Sequence, residues 1–327
     1  MSLVKQLGSR LKPYLRWVIL GGTLFFLVGA LRRHWQEVTA IRIDATGWGY
    51  LAIALLVTLL AHVWSGWVWS WILRDLGQAA SGAWSTRTYL RTNIAKYLPG
   101  NVWHFYGRVM AAKGVGIPVT EATVSVVLEA LLMAIAALLV AFLSARQLNW
   151  GLQILGLAVG LAIVHPRLLN PLLWKLSQAK SKLKGSKDGS RNDVGAIALS
   201  PTDAARLHRY PLRPLVGELG FLGLRGLGFL LVMGAIAPVP LAHVPMIFSA
   251  FSLAWMLGLV VPGAPGGIGV FEATALALLG DAVPAGVLIS TVTFYRLIST
   301  LAEALGAGLA WAWEQVGGDR PNTSSGS

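Results

Sequence analysis

The chain has no cysteine and few charged residues, and each absence excludes a class of protein. Without a thiol in its 327 residues, it forms no disulfide, thiolate nucleophile, iron–sulfur cluster or cysteine-ligated zinc site. Charged residues make up 13% and apolar residues 55% of the chain, which is not the composition of a soluble domain. Several continuous apolar runs reach about 20 residues, the length that crosses a bilayer. We therefore predict an all-α, polytopic helical membrane protein rather than a barrel of alternating strands.

Familiar enzyme motifs are also missing. The six histidines show no metal-ligand spacing, and neither a Ser-His-Asp layout nor an Asp-x-Asp pair is present. The stretch PGAPGGIG lacks the Gly-Lys-Ser/Thr ending of a phosphate-binding loop and follows no predicted strand. We expect no metal and no cofactor, and we interpret His104, between Trp103 and Phe105, as an interfacial residue rather than a base.

Acidic residues are scarce, with 14 against 27 basic ones, and the basic residues are clustered. Residues 1–16 carry four Lys/Arg and no acid, and residues 165–213 carry ten Lys/Arg against three Asp. Basic clusters between apolar spans follow the positive-inside rule. They predict a cell-membrane protein with a cytoplasmic N-terminus and a cytoplasmic loop at 165–213. We expect these clusters to contact anionic lipid and not nucleic acid.

The apolar runs divide residues 1–316 into spans of a single membrane domain, followed by a disordered tail at 317–327. Seven spans are predicted, at residues 17–31, 48–73, 122–144, 149–164, 214–236, 243–261 and 284–316. If one of two Pro-Gly segments between them crosses fully, the chain has eight spans. The side of the C-terminus and the relative orientation of those segments, parallel or inverted, both stay open.

The two Pro-Gly segments, residues 97–130 and 260–297, share one layout. Each opens on Pro-Gly, has a charge 9–10 residues later, then a second proline, then a charge 11–12 residues into an apolar helix. The signs are swapped, with Arg108 and Glu129 in the first segment and Glu272 and Arg296 in the second. This pattern predicts an internal repeat of two facing half-sites, in which Arg108 lies near Glu272 and Glu129 near Arg296.

The Pro-Gly breaks themselves predict re-entrant helices. Irregular backbone at membrane depth is tolerated only where protein or water satisfies its polar groups. We therefore expect a polar cavity, with a ligand approaching the broken backbone. The alternative is a pair of tight helix hairpins that bind nothing. The candidate binding residues at the breaks are Pro99, Gly100, Asn101, Pro262, Gly263, Gly266, Gly267 and Gly269.

Further candidates are charges within predicted membrane segments, each costing about 2.5–3.5 kcal/mol on insertion scales. They are Glu129, Glu218, Arg225, Glu272, Arg296 and Glu303. Glu218 and Arg225 are seven residues apart, as are Arg296 and Glu303, which separates each pair by about 10 Å along a helix. Pairing across helices is therefore favoured. Either these charges are structural interhelical salt bridges, or they form a polar pathway for headgroups, ions or protons.

A run of glycines accompanies these charges in one span. The glycines lie at Gly217, Gly220, Gly223, Gly226 and Gly228. Small residues at such spacing let neighbouring helices approach closely. We interpret this run as a packing surface and not as a ligand site.

Three stretches, NIAKYLPGNVWHFYGR, PGAPGGIGVFEA and TFYRLIST, closely resemble the lysylphosphatidylglycerol synthetase transmembrane-region family. The resemblance runs from the first span to about residue 316. It implies a lipid-handling membrane protein that moves a lipid between leaflets. Full-length members continue into a soluble aminoacyltransferase domain, so aminoacyl transfer is not expected of this chain.

The leading hypothesis is a flippase for a phospholipid or lipid-linked substrate, working alone or as a homo-oligomer. Arg108 and Arg296 would attract the phosphate, while Glu129, Glu272 and Glu303 would pair with them or contact a cationic headgroup. Two alternatives stay open. One is a membrane-embedded lipid-modifying enzyme that uses Glu272 or Glu129 as general base, and the other is a scaffold for lipid-modifying partners.

Overall fold

The fold is described by a computed structural model of residues 42–98, 102–144, 150–163, 165–167, 209–261 and 264–317, together with Arg32 and Gln36. These ranges contain α-helices and short 3₁₀ turns and no strand, which confirms the all-helical prediction. The α-helices are α1 Ala45–Asp75, α2 Gly82–Asn93, α3 Trp103–Gly114, α4 Val119–Ser144, α5 Trp150–Ile163, α6 Leu212–Ile236, α7 Val244–Val260, α8 Val270–Leu279 and α9 Ala285–Gly317. The 3₁₀ turns are Ile94–Tyr97, Leu241–His243 and Pro265–Gly267.

Five helical stretches within these ranges are long and apolar enough to cross a membrane. They are Ala45–Asp75, Val119–Leu143, Leu212–Ile236, Leu241–Val260 and Ala285–Gln315. Each coincides with a predicted span. Helix α5 covers the predicted span 149–164 but has only 14 residues. The predicted span 17–31, most of the loop 165–213 and residues 318–327 lie outside the described residues.

Helices α1 and α6 pack closely because glycines of α6 face bulky side chains of neighbouring helices. A Cβ atom added at Gly217 would lie 2.6 Å from Val68 in α1, and one at Gly226 would lie 2.4 Å from Phe248 in α7. At Gly223, no atom of a neighbouring helix among the described residues lies within 4 Å of the same point. The glycine run is therefore a packing surface, as predicted, except at Gly223.

A cluster of four aromatic rings joins the second half of the bundle. Phe229, Phe251, Phe271 and Tyr295 come from α6, α7, α8 and α9. Their ring centroids lie 5.3 Å apart for Phe229 and Tyr295 and 5.7 Å apart for Phe251 and Phe271. Phe229 and Phe251 are fully buried. Edge-to-face contacts of this kind fix the relative positions of the four helices.

Both Pro-Gly segments interrupt the helices at this centre. In the first segment, α2 ends in the turn Ile94–Tyr97 before α3 begins. In the second, the turn Pro265–Gly267 separates α7 from α8. The ring of Tyr97 lies so close to Gly266 that an added Cβ would be 2.7 Å from it. The two breaks therefore lie against each other.

Candidate functional site

A charged cavity of about 100 Å³ lies where the two breaks meet. Both Pro-Gly segments contribute to its wall, together with spanning helices α1, α4, α6, α7 and α9. The lining residues are His62, Tyr89, Asn93, Lys96, His104, Phe105, Arg108, Glu129, Ala130, Met133, Phe221, Arg225, Trp255, Gly258, Leu259, Gly266, Gly267, Phe271, Tyr295 and Arg296. Four of them are basic and Glu129 is acidic, so the cavity holds several charges among apolar helices.

The first segment contributes a buried ion pair. The Nη1 atom of Arg108 in α3 donates to Oε2 of Glu129 in α4, and both side chains are almost fully buried. Aromatic rings surround the guanidinium, with centroids 4.6 Å away at Tyr89 and 5.4 Å away at Phe105. Oε1 of Glu129 has no hydrogen-bond partner among the described residues. Arg108 is thus held by one carboxylate and by ring faces, which attract cations.

The second segment contributes an ion pair that also fastens the broken backbone. Nε of Arg296 in α9 donates to Oε1 of Glu272 in α8. Its Nη1 and Nη2 atoms donate to the carbonyl oxygens of Gly266 and Gly267, each at 2.9 Å. Oε2 of Glu272 accepts the backbone N–H of Gly269 at 2.5 Å, which caps the start of α8. Three donors of one guanidinium therefore satisfy a carboxylate and two carbonyls.

These contacts correct the predicted pairing across the segments. Arg108 pairs with Glu129 and not with Glu272, while Arg296 pairs with Glu272 and not with Glu129. The reason is that α3 packs against the following helix α4, and α8 against the following helix α9. Each charge therefore meets its partner within its own segment. The expected pairing between helices, rather than along one helix, is confirmed.

Glu303 of α9 binds two groups from other elements. Its Oε1 accepts a hydrogen bond from Nζ of Lys96 at 2.6 Å and lies 3.3 Å from Nε2 of His62 in α1. The hydroxyl of Tyr97 lies 3.3 Å from that of Thr300 in α9. Burial lowers the pKa of Lys96, and the Glu303 carboxylate opposes that shift. The turn at the first break is thereby attached to α9.

Arg225 and Glu218 in α6 make no ion pair with each other. Nη1 of Arg225 donates to the Ser299 hydroxyl at 2.7 Å and lies 3.5 Å from Nε2 of His62. Neither oxygen of Glu218 has a hydrogen-bond partner among the described residues, and the side chain is fully buried. Glu218 interacts electrostatically with Glu129 and Arg108, so it lies on the first segment's side of the bundle.

His104 differs from its expected interfacial position. It is 6% exposed, lines the cavity, and lies with its ring centroid 3.8 Å from that of Phe105. Burial, the largest cause, lowers the pKa of His104 to about 3. The imidazole is therefore neutral at neutral pH and adds a polar surface to the cavity without adding charge.

The predicted site residues fall into three groups. Arg108, Glu129, Arg225, Arg296, Gly266 and Gly267 line the cavity. Glu218, Glu272, Glu303 and Gly269 are buried and do not line it. Pro99, Gly100, Asn101, Pro262 and Gly263 lie outside the described residues.

Sequence reasoning did not select His62 and Lys96. His62 is a polar residue within a spanning helix, and Lys96 lies three residues before the first Pro-Gly. A search for every ionisable side chain in or beside the spans would have found both. Their link to Glu303 depends on how α1, α9 and the first break pack, which the spacing of the residues does not reveal.

The long apolar helices around a charged cavity define a multi-pass α-helical membrane protein. The chain belongs to the family described as the lysylphosphatidylglycerol synthase transmembrane region, whose model matches residues 15–306. The family resemblance seen in the sequence is thus confirmed, and it places the protein among membrane proteins related to lipid handling. A comparison with curated proteins finds no match to this chain.

Proposed function

We propose that the protein moves a phosphate-bearing lipid or lipid-linked substrate between the leaflets of the cell membrane. The headgroup would pass through the charged cavity while the acyl chains stay in the bilayer. The observation that carries this proposal is the set of basic residues, Lys96, Arg108, Arg225 and Arg296, around one cavity inside apolar helices. Intramembrane charges are costly, and they mark the pathways of substrates and ions.

The proposal includes the internal repeat. Each Pro-Gly segment supplies one arginine and one glutamate as a buried ion pair, and the arginines of both pairs line the same cavity. We infer that the segments are re-entrant half-sites in a bundle of seven or eight spans. Broken helices at the interface of two repeats are the usual place for a substrate in transporters built this way.

The size of the cavity fits a headgroup better than a whole lipid. A volume of about 100 Å³ is far below the ~300–1,000 Å³ of pockets that enclose drug-sized ligands. A long-chain lipid would therefore enter only with its polar end. Passage to the other leaflet would require the contacts between the breaks, including the one between Tyr97 and Gly266, to separate.

Leaflet exchange in liposomes tests this function. The purified protein is reconstituted with a trace of fluorescent phosphatidylglycerol, and the fraction of probe open to a membrane-impermeant quencher is followed over time. We expect protein-dependent exchange that Glu129→Gln slows. Glu314→Gln is the matched control, because Glu314 pairs with Arg91 on the exposed surface. Exchange no faster than in protein-free liposomes, for this probe and for a polyprenyl-phosphate probe, would contradict the proposal.

A lipid-modifying enzyme is the second candidate, and the contacts of two glutamates indicate which of them could serve as its general base. Both oxygens of Glu272 are already bound, to Arg296 and to the Gly269 N–H. Glu129 lines the cavity with Oε1 unpartnered among the described residues, so it is the better placed general base. Mass spectrometry of lipids incubated with the protein tests this candidate. An enzyme requires that the wild type forms a new lipid species and that Glu129→Gln does not.

A further inference from the structure

We propose that Arg225 is the residue that binds the phosphate of the substrate, and that the bound group carries a single negative charge, as in a phosphodiester headgroup. The inference rests on the proposed function, since it assumes that the cavity receives a lipid headgroup. It depends on how the four basic residues of the cavity are paired.

Three of these four cations already have a carboxylate partner. Arg108 pairs with Glu129, Arg296 pairs with Glu272, and Lys96 donates to Glu303 at 2.6 Å. Arg225 has no carboxylate within ion-pair distance among the described residues. Glu303 interacts with it electrostatically, but the Glu303 carboxylate is already bound by Lys96 and lies 3.3 Å from His62. The formal charge of Arg225 is therefore the one that a ligand in the cavity would balance.

The contacts of Arg225 leave donors for such a ligand. Nη1 donates to the Ser299 hydroxyl at 2.7 Å, and the guanidinium lies 5.1 Å from the ring centroid of Tyr295. Nε is buried and has no hydrogen-bond partner in the part of the chain that the structure describes, although the residue is only 5% exposed and lines the cavity. A buried donor without a partner is costly, and an arginine offers its donors in a planar fork that matches a phosphate.

The carboxyl of Glu218, which has no hydrogen-bond partner among the described residues, does not balance the charge of Arg225. Glu218 lies seven residues before Arg225 in the same helix, about 10 Å away along its axis. It does not line the cavity, and its electrostatic neighbours are Glu129 and Arg108. One uncompensated cation in the wall therefore calls for one negative charge. A dianionic phosphomonoester would leave a second charge unbalanced in a site of low dielectric.

Binding measurements on the purified full chain in uncharged detergent test the inference. The shift in melting temperature is titrated with four probes: short-chain phosphatidylglycerol, phosphatidic acid, diacylglycerol and inorganic phosphate. We expect phosphatidylglycerol to stabilise the wild type, diacylglycerol to have no effect, and inorganic phosphate to compete only at higher concentration. Arg225→Gln should weaken phosphatidylglycerol binding by about 10- to 100-fold, the value of a lost charged hydrogen bond. Arg225→Lys keeps the charge but loses the planar fork of donors. Its affinity for phosphatidylglycerol should lie between those of the wild type and Arg225→Gln.

The melting temperature without ligand separates a binding role from a structural one. Arg225→Gln removes an uncompensated cation, so it should leave the melting temperature unchanged or raise it. Arg296→Gln should lower the melting temperature. The inference fails if Arg225→Gln lowers the melting temperature as much as Arg296→Gln does. It also fails if Arg225→Gln binds phosphatidylglycerol as tightly as the wild type. It also fails if diacylglycerol binds equally well, if phosphatidic acid binds at least tenfold more tightly, or if inorganic phosphate binds more tightly than the lipid.

The same variants distinguish this inference from the proposed function. Leaflet exchange without Arg225-dependent binding would overturn the inference and leave the function standing. Arg225-dependent binding without leaflet exchange would overturn the function and leave the site standing.

Discussion

The two Pro-Gly segments hold the same pair of charges, but their arginines are bound differently. Arg296 gives three donors to Glu272 and to the carbonyl oxygens of Gly266 and Gly267. Arg108 gives one donor to Glu129 and otherwise lies among aromatic rings, with Tyr89 nearest at 4.6 Å. Both arginines join two helices, but only the second also binds the backbone of its segment.

The difference follows from which element carries each residue. In the second segment the arginine stands on a spanning helix, α9, and reaches the glycines of the break. In the first segment the arginine lies on the short helix α3, after the break, and contacts the spanning helix α4 that follows. Swapping the charge signs therefore gave each pair a different backbone environment. Substitutions should reveal this difference as unequal effects on stability.

The largest effect is expected for Arg296→Gln. This change removes one ion pair and two hydrogen bonds to backbone carbonyls, and it leaves Glu272 buried without its cation. We expect a loss of about 3–5 kcal/mol in the free energy of unfolding. The double variant Arg296→Gln/Glu272→Gln should recover little, because the carbonyls of Gly266 and Gly267 still lack donors. Unfolding in mixed micelles, titrated with denaturing detergent, measures both, and a strong recovery would mean that the backbone bonds contribute little.

A smaller effect is expected for Arg108→Gln, which removes one charged hydrogen bond and no hydrogen bond to the backbone. It also leaves Glu129 buried without its cation, so we expect a loss of about 3 kcal/mol, the lower end of the range for a broken buried ion pair. Here the double variant Arg108→Gln/Glu129→Gln should recover at least half of that loss, because neither side chain bonds a backbone group of the described residues. The same unfolding titration applies. If the double variant is as unstable as Arg108→Gln, the ion pair of the first segment is not the main source of the loss. The difference between the segments that their contacts indicate would then be contradicted.

Gly267→Ala tests the backbone of the second segment without touching a charge. Gly267 has a φ of 71°, and an added Cβ would lie 3.0 Å from the backbone Cα and O atoms of Gly258. We expect a loss of about 1–3 kcal/mol, because a strained conformation and a backbone contact cannot both relax. Gly107→Ala in the first segment should cost less, since its nearest neighbour is the side chain of Thr92 at 3.0 Å.

Gly223→Ala is the matched control for both glycine variants. It lies within α6, and no neighbouring helix of the described ranges has an atom within 4 Å of an added Cβ. Alanine is favoured over glycine in a helix, so this variant should be as stable as the wild type or slightly more stable. Equal losses at Gly267 and Gly223 would contradict the constraint inferred for the second break.

Much of the fold could be predicted from the sequence because long apolar runs have few alternatives in a membrane. Five predicted spans match helices, and the two breaks fall where Pro-Gly interrupts an apolar run. The buried charges were also legible, since each ionisable residue in a span is an exception to the surrounding composition.

Which charges pair was not predictable from the same pattern. Arg108 has two glutamates at comparable places in the repeated layout, and only the packing of α3 against α4 selects Glu129. Likewise, the link from Lys96 to Glu303 joins residues 207 positions apart. Spacing indicates which residues share a helix face, but contacts between elements depend on how those elements pack.

The last expected effect concerns pH, and it arises in the first segment alone. His104 lines the cavity in that segment, whereas residues 260–297 contain no histidine. Burial lowers its pKa from 6.5 to about 3, so the folded state keeps His104 neutral while the unfolded state takes up a proton below 6.5. Stability linked to this residue is therefore present above pH 6.5 and is lost as the pH falls from 6.5 towards 3.

His104→Gln should remove this acid sensitivity. Between about pH 7 and pH 5, we expect the melting temperature of His104→Gln to fall less than that of the wild type, since one pKa unit corresponds to about 1.4 kcal/mol. Other titrating groups are common to both proteins, so the difference isolates His104. Equal falls would mean that the imidazole is protonated in the folded protein. The first segment would then place a second cation beside Arg108 in the cavity wall, and the two segments would differ in charge there.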